Sequence, residues 1–190
     1  MANPGARAAE RAELLELIRT RSFKRGKFTL ASGAQSELYF NLKPTMMHPK
    51  GALFAAHGLL DLLLADKAEY FGGLEMGAVP LIGSVAAISQ AEGHPVKTFF
   101  VRKKAKDYGA QLQVEGLGPD ESLAGRRAVI VDDVATTGGS IIKALEAARA
   151  AGAVVETAMV LVDRQEGGTE NLAALGVKLQ SLFKAEEFLR

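Results

Sequence analysis

Three stretches of this chain, 96–101, 128–131 and 154–162, are predominantly apolar, and 128–131 and 158–162 are apolar at every position. A strand with one wet face alternates apolar and polar residues, so a strand that is apolar throughout must be covered on both faces. Helix-patterned segments of 10–15 residues, at 53–64, 80–90 and 140–151, alternate with strand-like runs, and that alternation specifies βαβ units and a mostly parallel sheet flanked by helices. The fold class is therefore α/β. Residues 80–90 read as a helix closing at Gly93, and 140–151 as one closing at Gly152. Pro49 suits a first helical turn and precedes the apolar run 53–64. A short strand at Tyr70-Phe71 is expected to end at Gly72-Gly73. Ahead of this pattern, residues 6–20 have the spacing of an amphipathic helix, and Thr29-Leu30 and Leu38-Tyr39-Phe40 flank a turn-rich segment as in a hairpin. At 190 residues, one domain is the expectation, with residues 1–45 as a small N-terminal cap and 46–190 as the α/β core.

The connection 102–125 is polar and, at about 23 residues, longer than the few residues usual between neighbouring elements. It reads as a long flexible loop. Charge singles out its beginning. The chain carries 23 Lys and Arg against 22 Asp and Glu, a net +1, which argues against a polyanion-binding surface such as nucleic acid requires. The average conceals blocks: residues 97–107 hold Lys97, Arg102, Lys103, Lys104 and Lys106 against Asp107, and residues 108–190 carry a net −4. A charge run of this kind is either a solvated face or an anion site. The absence of cysteine excludes disulfides, Cys-ligated zinc and a thiol nucleophile. No apolar run reaches the length of a membrane span, and residues 1–25 lack the pattern of a secretory signal. The expectation is a cytoplasmic protein with no membrane partner. His48, His57 and His94 lack metal-ligand spacing.

The most informative stretch is Val129-Ile-Val-Asp-Asp-Val-Ala-Thr-Thr-Gly-Gly-Ser140. It places a loop of small and hydroxyl-bearing residues between the end of a buried strand and the start of a helix, where N–H groups and the helix dipole favour a phosphate. It is neither the Walker loop nor the Gly-x-Gly-x-x-Gly turn of dinucleotide folds. Asp132 and Asp133 would repel a bare phosphate, so they call for ribose hydroxyls or a hydrated Mg²⁺ bridging to a diphosphate. The plainer alternative is a capped helix behind a strand-terminating turn.

Asp-Asp followed by Thr-x-Gly-x-Ser resembles the diphosphate motif of the type I phosphoribosyltransferases. Phe28-Thr-Leu-Ala-Ser-Gly33, Leu38-Tyr-Phe-Asn41, Gly72-Gly-Leu-Glu-Met-Gly-Ala-Val-Pro80, Val101-Arg-Lys-Lys-Ala-Lys-Asp-Tyr-Gly109 and Asp163-Arg-Gln-Glu166 are similar to the successive signatures of the orotate branch. The resemblance implies the type I phosphoribosyltransferase fold, with an N-terminal hood and a basic loop. It also implies Mg²⁺-dependent transfer of a phosphoribosyl group from 5-phosphoribosyl 1-diphosphate to orotate, by a homodimer with shared sites. On that basis Asp132 and Asp133 take the ribose hydroxyls, directly or through the metal's water, and Val134, Ala135, Thr136, Thr137, Gly138, Gly139 and Ser140 form the 5′-phosphate cradle. Arg102, Lys103, Lys106 and Tyr108 meet the diphosphate, with Lys106 counted as catalytic beside the two aspartates. Tyr39, Phe40, Thr136 and Arg164 face orotate. Strand packing is the alternative for Tyr39 and Phe40, and pairing with Asp163 or Glu166 is the alternative for Arg164. The chain departs from the family pattern at Ala31, at Met76 and Ala78, and at Tyr108, where a Lys, a basic residue and a His are common; Lys27 and Lys43 are candidate replacements for the missing cations. An enzyme for another base, or a regulatory protein that kept the site without catalysis, are the competing functions.

Overall fold

The structure, a computed structural model, describes residues 4–29, 35–103 and 113–189. An N-terminal helix α1 (Pro4–Arg21) leads into strands β1 (Phe23–Thr29) and β2 (Gln35–Phe40), which pair antiparallel as a separate two-stranded sheet. A short α2 (Lys43–Met46) and the long α3 (Pro49–Asp66) follow. The main sheet comes from β3 (Tyr70–Leu74), β4 (Lys97–Val101), β5 (Val114–Glu115), β6 (Arg127–Ala135), β7 (Val154–Asp163) and β8 (Lys178–Lys184), in the order β5-β4-β3-β6-β7-β8. Helices α4 (Val79–Ala91), α5 (Gly139–Ala150) and α6 (Gly168–Ala173) connect them, and a 3₁₀ turn at Ala185–Phe188 ends the described chain. Every neighbouring pair is parallel except β4 and β5.

Alternation along β6 sorts the core into two layers. Val129 and Val131 pack with Leu59 of α3 and Leu81 and Val85 of α4, together with Leu14 and Ile18 of α1. Ala128 and Ile130 pack with Ile141, Ala144 and Leu145 of α5. Both faces of the strand are dry, which is why its sequence lacks polar alternation.

Four sequence expectations change. Gly72 and Gly73 lie inside β3 rather than ending it, because a Cβ at Gly72 would run into the Phe99 ring and one at Gly73 into the Val131 carbonyl. The strand needs glycine there for close approach. Asp132 and Asp133 are the last part of β6 rather than a turn beyond it, and the ladder to β7 continues to Ala135 opposite Asp163. The connection 102–125 is not structureless: Val114 and Glu115 pair back onto Val101 and Phe100, and Leu123 is buried. Strand β8 and helices α2 and α6 complete what the sequence patterns did not mark.

The small sheet is fastened to the carboxyl end of β8 by aromatic rings. Phe40 lies 4.9 Å from Phe23 and 5.2 Å from Phe188, centroid to centroid, and Phe188 lies 5.9 Å from Phe183. Among the described residues no helix is long and apolar enough to cross a membrane.

Candidate active site

The strand order reverses between β3 and β6: β3 leads through α4 to β4 on one side, and β6 leads through α5 to β7 on the other. Ligands of open α/β sheets bind beyond the carboxyl ends of the strands at such a switch point. Pairing of β3 with β6 ends at Gly72 opposite Ile130. Past it, the turn after β3 folds onto the end of β6, and an added Cβ at Gly77 would lie 2.5 Å from Asp132 Oδ1 and 3.0 Å from Asp133 Oδ1.

Asp132 is 5% exposed. The Ser140 hydroxyl at the start of α5 donates to its Oδ2, and the Asp133 N–H donates to its Oδ1 at 2.9 Å. Burial, and then the neighbouring Asp133 charge, push the Asp132 carboxyl up to about 7, while the hydrogen bonds from Ser140 and the Asp133 N–H oppose the shift. Asp133 is less buried, and its Oδ1 accepts the Val134 N–H at 3.0 Å. Two adjacent carboxylates of unequal burial, facing a turn that leaves no room for a side chain, suit hydroxyl groups or a hydrated cation.

The cradle follows directly. Gly138 has φ 81° and no side-chain cap serves α5, so the first N–H groups of the helix point outward with the positive end of its dipole. The loop is braced from the α6 side: Asn171 Nδ2 donates to the Thr137 carbonyl at 2.9 Å, and Gly168 approaches the Thr136 carbonyl closely enough that a Cβ would stand 2.9 Å away. Neither brace was anticipated, although the Gly167-Gly168 pair was a visible signal for it. Val134 and Ala135 belong to the strand and supply backbone, with Ala135 fully buried.

Arg164 leaves β7 beside this cradle, its N–H donating to the Ala135 carbonyl at 2.9 Å. Its side chain is 4% exposed, and Nε and Nη2 donate to Glu166 Oε1 at 3.1 and 2.6 Å. The intramolecular pair weighed from the sequence is thus present with Glu166. Asp163 instead accepts the Gln165 N–H at 2.8 Å.

Arg102 Nη1 donates to Glu115 Oε1 at 3.1 Å, and its N–H donates to the Gln113 carbonyl at 2.8 Å. Lys103 is exposed, and its N–H donates to Glu75 Oε1 at 2.9 Å. Lys104, Lys106, Tyr108 and Ala31 lie outside the described residues. Lys97 does not belong with them. It stands at the opposite end of β4, roughly 16 Å away at 3.3 Å per residue, paired with Glu121 at 3.0 Å.

Tyr39 and Phe40 are consecutive in β2 and project from opposite faces, so a single planar ligand cannot meet both. Phe40 packs among Phe23 and Phe188 as described above, and Tyr39, 39% exposed, stacks on Phe28 with centroids 5.2 Å apart. Lys27 sits on β1 and Lys43 at the start of α2. His57 bonds Glu10 at 2.8 Å and lies 3.3 Å from Glu92, holding helices together away from the cradle. Among the described residues no group of three or more His, Cys, Asp or Glu could hold a metal ion.

A phosphoribosyl transferase domain model matches residues 59–182. An orotate phosphoribosyltransferase of Rhodopseudomonas palustris is 55% identical over 184 residues, 97% of this chain and 98% of its own. Orotate phosphoribosyltransferase of Mycobacterium tuberculosis has been solved in complex with Fe(III) dicitrate and with 5-phospho-alpha-D-ribosyl 1-diphosphate. The first structure superposes with a TM-score of 0.80 at 31% identity, covering 94% of this chain and 98% of that one. The second gives 0.77 at 29%, covering 95% and 99%. With sequence likeness over 97% of its length and the Asp-Asp, Thr-x-Gly-x-Ser segment at the switch point of the expected sheet, the chain belongs to the orotate phosphoribosyltransferases.

Proposed function

We infer that the chain transfers the 5-phosphoribosyl group of 5-phosphoribosyl 1-diphosphate to orotate, giving orotidine 5′-monophosphate and diphosphate in pyrimidine biosynthesis. The observation that carries this reading is the junction of the two ligand-binding ends: Arg164, suited to a planar carboxylate, is hydrogen-bonded through its backbone to Ala135 of the diphosphate motif. The complex of the Mycobacterium tuberculosis relative with the diphosphate substrate supports the same assignment.

The donor set fits Mg²⁺ held largely by water and substrate. Two carboxylates, one of them buried and hydrogen-bonded, form too small a cage for an all-protein site, and Mg²⁺ retains water readily. When bound, the cation would neutralise phosphate charge near Asp132 and Asp133.

The residues of the chain do the remaining work by positioning. Asp132 and Asp133 orient the ribose through its hydroxyls. The N–H groups from Ala135 to Ser140 hold the 5′-phosphate and leave C1′ facing Thr136 and the base. Arg164 fixes orotate by its carboxylate, with Tyr39 on the ring; Phe40 is assigned to packing. As the bond from C1′ to the diphosphate lengthens, positive charge grows on the ribose and negative charge on the leaving group. Arg102, Lys103, Lys106 and Tyr108 are assigned to the latter. Residues 1–45 act as a hood over the core 46–190, and Lys106 is supplied by the partner subunit of a homodimer.

Incubating the protein with the diphosphate substrate, Mg²⁺ and orotate, uracil, adenine or hypoxanthine in turn is expected to yield a nucleotide from orotate at the highest rate. A preferred purine would remove the base assignment, and effector-dependent DNA binding without turnover would identify a regulator. Mixing inactive Lys106→Ala and Asp133→Asn subunits should restore about a quarter of wild-type activity, because only sites with both intact parts work. No recovery would place the loop and the aspartates in one subunit.

The close fit at Gly77 makes a further expectation. In Gly77→Ala the new methyl must displace carboxylate oxygens that Ser140 and backbone N–H groups hold in place. A shift of this size should lower kcat/KM about 10²-fold while circular dichroism stays native. Wild-type kinetics would show that the aspartates need no fixed geometry.

A further inference from the structure

We propose that Glu75 is a positioning residue that sets the root of the basic loop in register with the aspartate pair. The proposal rests on the assignment of Arg102 and Lys103 to the diphosphate. Glu75 is the first residue after β3, and it touches both the last residue of β4 and the chain just beyond it: its N–H donates to the Val101 carbonyl at 2.8 Å, and its Oε1 accepts the Lys103 N–H at 2.9 Å. Two residues later, Gly77 lies against Asp132 and Asp133. One short turn therefore contacts the start of the loop on one side and the ribose-binding carboxylates on the other.

The position of the bond gives it this role. The antiparallel ladder of β4 and β5 pairs Val101 with Val114, and the Arg102 N–H extends it to the Gln113 carbonyl. The next N–H, that of Lys103, is taken by the Glu75 side chain instead. On the other leg Glu115 holds the Arg102 guanidinium. The direction in which the chain leaves the sheet at Lys103 is thus fixed by a side chain belonging to the turn that abuts the aspartates. On that assignment 5-phosphoribosyl 1-diphosphate spans the two groups of residues, so its binding, rather than that of orotate, depends on the register between them.

Glu75→Ala removes the acceptor, and Glu75→Gln keeps one at Oε1. The expected result is that Glu75→Ala raises KM for the diphosphate substrate about tenfold, the ratio a hydrogen bond of this kind commonly contributes. KM for orotate should stay within about twofold, and Glu75→Gln should return the diphosphate KM to near wild type. Thermal unfolding of all three proteins is followed alongside. Wild-type KM values in Glu75→Ala would overturn the proposal. So would an equal rise in both KM values with a lowered melting temperature, which marks a merely structural bond, or failure of Gln to restore. Calorimetric affinity for 5-phosphoribosyl 1-diphosphate with Mg²⁺ separates this proposal from the base assignment. If wild type binds that substrate without using orotate, the functional reading fails, and tenfold weaker binding by Glu75→Ala still supports the positioning role, whereas equal affinity rejects it.

Discussion

Asp132→Asn is expected to melt higher than the wild type at pH 8 and to be nearly inactive. Burial and the adjacent Asp133 hold the Asp132 carboxyl at about 7 against a starting value of 3.8, so the folded chain binds its proton more tightly than the unfolded chain does. Stability contributed by such a group is complete below the unfolded value and falls as pH rises towards about 7, beyond which the loss is constant. That rise corresponds to a loss on the order of 4 kcal/mol. Asparagine carries no proton-linked charge and can still accept the Asp133 N–H, so the variant escapes this loss. The difference in melting temperature should be small near pH 4 and widen to about 8–16 °C at pH 8 for a chain of this size. Turnover should fall about 10²–10³-fold, since an amide lacks the charge that the ribose and its metal require. A melting difference that does not change with pH would show that Asp132 is ionised as freely in the fold as in water.

That conflict between stability and charge also explains which parts of the site were legible in the sequence. A carboxylate directly behind four buried apolar residues has no packing rationale, so Asp132 was conspicuous, and the small residues after Asp133 declared the cradle by their own chemistry. These signals are local. The strand was nonetheless expected to stop at the first charge. It continues because Ser140, eight residues later, satisfies Asp132, and nothing local announces that partner. The same limit hid Glu75, whose acceptor role depends on a residue 28 positions away. It hid β5 as well, two residues defined only by their pairing with β4. Strand β8 was obscured because its face is only partly covered, so no continuous apolar run marks it. Tyr39 and Phe40 are a different case. The two-residue period of a strand already separates their faces, and packing against Phe188 then decides which of them belongs to the core.

Arg164→Ala should lower kcat/KM for orotate about 10³-fold and leave the KM of the diphosphate substrate within about threefold. The guanidinium is almost wholly buried, and its contact with Glu166 uses a single carboxylate oxygen for two donors. That contact presents the planar group in a fixed orientation, and a planar carboxylate is the ligand that such a fork matches. Truncating one partner of a desolvated charge pair commonly weakens binding by 2–5 kcal/mol, about the loss expected here. The fold should tolerate the change. Glu166 is 37% exposed in its side chain, so water replaces its lost partner and little destabilisation follows. Arg164→Lys separates recognition from packing: it keeps a charge but not the fork, and should recover only a small part of the loss. Orotate kinetics unchanged in Arg164→Ala would transfer carboxylate recognition to another residue. A matching rise in the KM for the diphosphate substrate would show instead that the Arg164–Glu166 pair holds the cradle in place through the Ala135 hydrogen bond, because only a disturbance of the shared scaffold reaches both substrates equally.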